Sequence, residues 1–315
     1  MKRLMAVFLV GLVFLSFGSQ ARWDKVWDKE VGIVVVDQNL QDNTARLFAT
    51  DKATGDLYSY NAQSNGWTRA SGPARSFVSS GEGLYRLSSD GMTTSRYITP
   101  DNWKILTGGA ALTLIGGGKK LYSTKSPNID LYEYTGTSFK LIENGRGRAF
   151  AAGGCQMCSP VGDTYGYIYK IATNGQSVWM YPQGFGEMTW KKIGGPASSI
   201  YAGLGASSPS VFAVDPIVGT LWHYQGGDAW DQVGYSGKMW AIDCMVESGS
   251  YNVRETIYGL STSGNDIYKW GGNPDPDDWT KIDTTQLNKP LKSIHAGGGQ
   301  LYAVASGGKL WRYAP

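Results

Sequence analysis

Apolar and polar positions alternate along most of this chain, and glycine, asparagine or aspartate breaks the alternation at short intervals. A period of two is the spacing of side chains along a β-strand, so the pattern predicts many short strands joined by tight turns. The strands recur as a set. Aligned on the second strand of each set, an aromatic falls at Phe48, Tyr85, Tyr122, Tyr169, Phe212, Tyr258 and Tyr302, in steps of 37, 37, 47, 43, 46 and 44 residues. Each step accommodates four short strands and three turns. Third strands read DLYSY from Asp56, SRYI from Ser95, DLYEY from Asp130, SVWMY from Ser177, TLWHY from Thr220, DIYKW from Asp266 and KLWRY from Lys309. In all but SRYI an aromatic-x-aromatic pair lies on one face and a leucine, isoleucine or valine on the other, so both faces of the sheet are to be covered.

Fourth strands open with Trp67, Trp103, Trp190, Trp230 and Trp279, and with Phe139 in the third copy. Inner strands end in glycine, as in FVSSG at Phe77, LIGGG at Leu114, FAAGG at Phe150, IYAGLG at Ile200 and IHAGGG at Ile294. Small residues suit strands that converge on a crowded axis. A repeat of this length cannot bury its own faces, so copies must stack. The prediction is an all-β protein: a seven-bladed β-propeller of four-stranded blades, one domain over residues 22–315. Its last copy stops at KLWRYAP without a tryptophan strand, and Trp23–Val26 at the start of that range matches Trp190–Ile193 and Trp279–Ile282. The N-terminal strand is therefore expected to complete the last blade and leave no open sheet edge. Two insertions, from Gly154 to Tyr165 and from Cys244 to Glu255, lengthen links between inner and second strands, a place where binding residues often sit.

Residues 1–21 have the form of a secretory signal: Lys2 and Arg3, an apolar run from Leu4 to Phe17, and Ser19-Gln20-Ala21 as a small-residue cleavage site. Export with cleavage near Ala21 is expected, and no membrane insertion. The chain carries 29 basic and 26 acidic residues; loss of Lys2 and Arg3 leaves a net charge of +1, without the basic face that nucleic acid needs. In an oxidising compartment Cys155 can pair with Cys158, or one of them with Cys244. The Cys155-x-x-Cys158 spacing lacks a second pair to complete a zinc site, so no metal and no cofactor is expected.

The run W-K-K-I-G-G-P-A-S-S-I-Y-A-G from Trp190, continued by V-F-A-V and G-T-L-W-H-Y, resembles the repeats of the tectonin and tachylectin-like lectin propellers. That resemblance implies a secreted carbohydrate-binding protein with repeated sites between neighbouring blades, used in cell-surface recognition or defence. Phe139 in the third copy and the single aromatic of Ser95–Ile98 in the second depart from the pattern, which implies that those blades lack any site needing the missing groups.

Sugar rings dock on aromatic faces while amides and carboxylates take the hydroxyls, and ring packing inside a blade uses the same residues. Candidate ligand-binding residues are the second aromatics of the third strands, Tyr181, Tyr224, Trp270 and Tyr313. With them come the fourth-strand tryptophans Trp190, Trp230 and Trp279 and the neighbouring Asp228 and Asp278. The two histidines, His223 and His295, lie in different copies, no G-x-S-x-G surrounds any serine, and the glycine runs precede strands rather than helices. No catalytic residue is assigned. A lectin for cell-surface or free glycans is the expected function. The alternatives are a secreted protein-interaction or matrix propeller holding a partner on one face, and an extracellular hydrolase or lyase dependent on His223 or His295.

Overall fold

The structure is a computed structural model that describes residues 21–39, 44–118, 120–125, 129–144, 147–155, 165–182, 189–205, 209–234, 236–246, 253–272 and 278–315. Residues 1–20 of the proposed signal segment, Cys158 and the cores of both insertions lie outside the described residues. The chain forms seven sheets of antiparallel strands that run in sequence order from the axis outwards, except that the N-terminal strand is outermost in the seventh and a short parallel pairing is added to the fourth. It is a seven-bladed β-propeller. Blades one to seven have inner strands Val31–Asn39, Ser76–Ser80, Thr113–Gly117, Ala149–Cys155, Ser199–Ala202, Gly237–Val246 and Ser293–Gly297.

The seventh blade closes the ring as expected. Strand Arg22–Trp27 pairs antiparallel with Leu310–Ala314, with Trp23 opposite Tyr313, Asp24 opposite Arg312 and Lys25 opposite Trp311. Burial follows the period-two reading. The second-strand aromatics Phe48, Tyr85, Tyr122, Tyr169 and Phe212 are wholly enclosed, Tyr258 and Tyr302 nearly so. The third-strand aliphatics Leu57, Leu131, Val178, Leu221, Ile267 and Leu310 fill the opposite face. There is no single core. Each apolar cluster lies between two blades; Tyr85, Leu87 and Leu106 of blade two, for example, pack with Leu114 and Leu121 of blade three. Stability thus accrues seam by seam, as in other stacked repeats.

At the axis, glycine is a steric requirement. Gly117 has φ +155°, and a Cβ placed there would stand 1.8 Å from the carbonyl oxygen of Ala152 in the next blade. The inner strand of blade five differs from the continuous IYAGLG expected. It stops at Ala202, and Leu204–Gly205 pairs in parallel with Gly154–Cys155 of blade four. Gly203 makes this crossing possible, because a Cβ there would overlap the Glu255 carboxylate.

Candidate functional site

The fourth-strand tryptophans have a shared structural task. In five blades the indole N–H reaches back to a carbonyl on the outer strand of the preceding blade or on the residue just after it. Trp67 donates to Val26, Trp103 to Ala70, Trp230 to Ile193, Trp279 to Val233 and Trp23 to Asp283, over 2.5–3.0 Å. The acceptor is the final residue of the preceding W-x-x-[I/V/A] strand, or its neighbour. The motif is therefore a donor and an acceptor at fixed spacing, which hooks each blade onto the one before. Phe139 has no N–H to give. Trp190 is the exception among the tryptophans: its N–H is buried without a partner, and the Lys170 ammonium lies 4.0 Å from its ring.

All of these outer aromatics but Trp279 also pack on the aromatic at the far end of their own third strand. Ring centroids are 5.1–5.3 Å apart for Tyr60–Trp67, Tyr97–Trp103, Tyr134–Phe139, Tyr181–Trp190, Tyr224–Trp230 and Tyr313–Trp23. The structure thus brings together, as cross-strand pairs, most of the sugar-binding candidates read from the sequence. What lies over each pair then decides whether its seam is open.

Six seams are filled. Trp27 packs on Trp67 at 4.6 Å between blades seven and one. Arg86 sits 4.6 Å from the Trp103 ring and donates to Ser71 Oγ across the seam between blades one and two. Lys125 lies 4.3 Å from Tyr132 and donates to the Gly108 carbonyl between blades two and three. Lys170 covers Trp190 and pairs with Glu143 between blades three and four. Trp240 packs on Trp279 at 5.5 Å between blades five and six, and Leu287 and Leu291 join Trp23 and Trp311 between blades six and seven.

Between blades four and five the corresponding space is a groove of ≈ 220 Å³. Its floor is Ala213, at the second-strand position that Arg86 and Lys170 hold in blades two and four. Trp222 and Trp230 form one wall, and Gly194, Gly195 and Pro196 the other. Gly194 packs closely on that wall: a Cβ would stand 3.1 Å from the Trp230 ring, which would have to give by a few tenths of an ångström. Both indole N–H groups are engaged internally, Trp222 with Thr220 Oγ1 at 3.0 Å and Trp230 with the Ile193 carbonyl at 2.6 Å, so the rings offer their faces. Asp215 stands at the rim. Its Oδ1 accepts the amides of Ile217 and Val218 at 2.7 and 2.9 Å, and these bonds hold its carboxyl below the usual carboxylate range.

Of the nine candidates, Trp230 alone lines this groove, with Tyr224 packed against it. Tyr224 is buried and its hydroxyl donates to the Gly227 carbonyl; Trp270 is buried as well. Asp228 is an exposed turn residue, and the Asp278 carbonyl accepts the Gly271 amide. Tyr181, Trp190, Trp279 and Tyr313 belong to filled seams. Sequence reasoning missed Trp222, Asp215 and Ala213. No single residue signalled the open seam, because Ala49 and Ala303 hold the register of Ala213 in blades whose seams are filled.

A second cavity, of ≈ 160 Å³, lies on the axis, lined by Val36, Ser79, Ala152, Ala202, Ile242 and Ala296 among others. Buried carboxylates flank it in the seams. Asp243 accepts the Gly299 amide at 2.9 Å, and burial pushes its pKa up to about 6. Glu255 accepts from Ser210 Oγ at 2.7 Å and from the Cys244 thiol at 3.7 Å; burial raises both the carboxyl and the thiol, which makes Cys244 a poor nucleophile. The cysteine pairings weighed from sequence involve the side chains of Cys155 and Cys158, which lie outside the described residues. The backbone pairing sets Cys155 beside Gly205, next to Leu204, whose amide donates to Cys244 Sγ. His223 stacks on Phe212 in blade five, His295 bonds Ser293 in blade seven, and burial lowers each to a pKa of about 4. Neither lines the groove or the axial cavity.

No protein-family profile matches this chain, and no curated protein sequence does. Solved structures share the fold. Virginiamycin B lyase from Staphylococcus aureus is similar at 9% identity with a TM-score of 0.59, covering 94% of this chain and 99% of its own. YCF48 from Cyanidioschyzon merolae is similar at 14% identity and 0.58, covering 93% and 98%. The GH74 xyloglucanase from Xanthomonas campestris is similar at 9% identity and 0.52, over 85% of this chain and 41% of that one. At such identities the likeness carries the propeller architecture and nothing about ligand.

Proposed function

We propose that the protein is a secreted carbohydrate-binding propeller whose sugar site is the groove between blades four and five. One observation carries this reading: among the described residues, the outer aromatics of six seams are covered by a neighbouring side chain, and those of the seventh face a cavity beside a carboxylate. A pyranose has an apolar C–H face for Trp222 or Trp230 and hydroxyls for Asp215. The cavity is below the roughly 300–1,000 Å³ of sites for drug-sized ligands, which fits a monosaccharide or a chain end. The resemblance to tectonin repeats supports the same location, between neighbouring blades. The repeated sites expected from the sequence reduce in this reading to one per chain.

The test is a titration of the full chain with a panel of monosaccharides, followed by tryptophan fluorescence and calorimetry. Saturable binding near one site per chain is expected, with loss of binding in Trp222→Ala. Ala213→Lys, which copies Lys170 at the equivalent register, is expected to fill the groove and abolish binding with the fold intact. No binding across the panel, or binding unchanged in both variants, would overturn the proposal.

A further inference from the structure

We infer that the groove between blades four and five selects a sugar bearing a free, protonated amine, a hexosamine rather than a neutral or N-acetylated hexose. This inference rests on the reading of that groove as a sugar site and concerns which sugar it takes. The argument is one of inventory. Val178, Pro196 and Ala213 contribute only carbon, and the indole N–H groups of Trp222 and Trp230 are consumed by Thr220 and Ile193. No lining side chain retains a hydrogen-bond donor.

What remains for a ligand is two indole faces and the Asp215 carboxylate. Asp215 is the one ionisable residue lining the groove, and the amides on its Oδ1 favour the charged form. Its Oδ2 has no protein partner among the described residues. An N-acetyl carbonyl or a sugar carboxylate needs a donor, which these side chains do not supply. An ammonium group is complementary on both counts. It donates to the carboxylate in a charge-assisted bond, and indole faces attract cations through the ring quadrupole.

The experiment compares D-glucosamine, N-acetyl-D-glucosamine and D-glucose by calorimetric titration of the full chain at mildly acid pH, where the amine is protonated, and repeats the series on Asp215→Asn. Asparagine keeps the Oδ1 acceptor that the Ile217 and Val218 amides need, and a melting curve checks that the turn is intact. Glucosamine is expected to bind about tenfold more tightly than glucose, as a charge-assisted bond replaces a neutral one. N-acetylglucosamine is expected to bind no better than glucose. In Asp215→Asn the preference should vanish, with glucosamine affinity falling to that of glucose in the same variant. Equal affinity for all three sugars, or a preference for glucosamine that survives Asp215→Asn, would overturn the inference and leave the sugar site standing. Absence of binding by all three, with silence across the wider panel, removes the sugar site and this inference with it.

Discussion

Trp67 shows how one side chain ties two blades. Its ring packs on Trp27 and Tyr60, and its N–H holds the Val26 carbonyl at 2.6 Å. Trp67→Phe keeps most of the packing and removes the donor, so a loss of about 1 kcal/mol is expected in urea denaturation, against about 3–5 kcal/mol for Trp67→Ala. Titratable groups at the same scale act in opposite directions. His223 and His295 have folded pKa values lowered from 6.5 to about 4, so the unfolded chain binds more protons between those limits and stability is lost as pH falls through them. Asp243 is raised from 3.8 to about 6, so the folded chain binds the extra proton and stability falls as pH rises across that window. Asp243→Asn is therefore expected to raise the melting temperature at neutral pH relative to the native chain and to change it little near pH 4, where Asp243 is protonated.

Among elements, the N-terminal strand Arg22–Trp27 has the largest consequence for its length. Trp23 and Val26 are buried, Trp27 fills the seam to blade one, and the Trp23 indole hooks onto blade six. Removing residues 22–27 would leave Leu310–Ala314 as an exposed edge and uncover Tyr313. Such an edge is a template for pairing with another chain. The truncated protein is expected to melt in a broader, lower transition and to elute from size-exclusion columns as oligomers or aggregate. A monomer of native stability would show that the closure contributes little.

At the level of the whole ring, near-sevenfold repetition at the backbone coexists with one asymmetry of packing, the open seam between blades four and five. Trp179 and Trp190 of blade four correspond to Trp222 and Trp230 of blade five, and Lys170 with Glu143 is what separates a filled seam from an open one. Lys170→Ala alone strands a largely buried carboxylate and should cost roughly 3 kcal/mol. Paired with Glu143→Ala, it is expected to open a second groove and raise the sugar stoichiometry from one site toward two, read by calorimetry. An unchanged stoichiometry would mean that the filler is not what limits the number of sites.

The blade count, the order of strands and the closure were all legible in the chain, because each depends on local periodicity repeated many times. Period-two alternation puts Leu57 inside and Tyr58 beside Tyr60, and the partial repeat at Lys309 matches the fragment at Trp23. The tryptophan strands were visible too, though not their hook: the partner carbonyl of Trp230 is 37 residues away on another sheet. The open seam was not legible, since a groove is a space, and a space depends on side chains that arrive from different blades. Lys170 and Arg86 occupy it from the second-strand register of Ala213 and Trp240 from an inner strand, whereas Ala213, Gly194 and Gly195 leave it empty. Local pattern dictates which face of a strand is covered; the packing of one sheet on the next dictates what, if anything, does the covering.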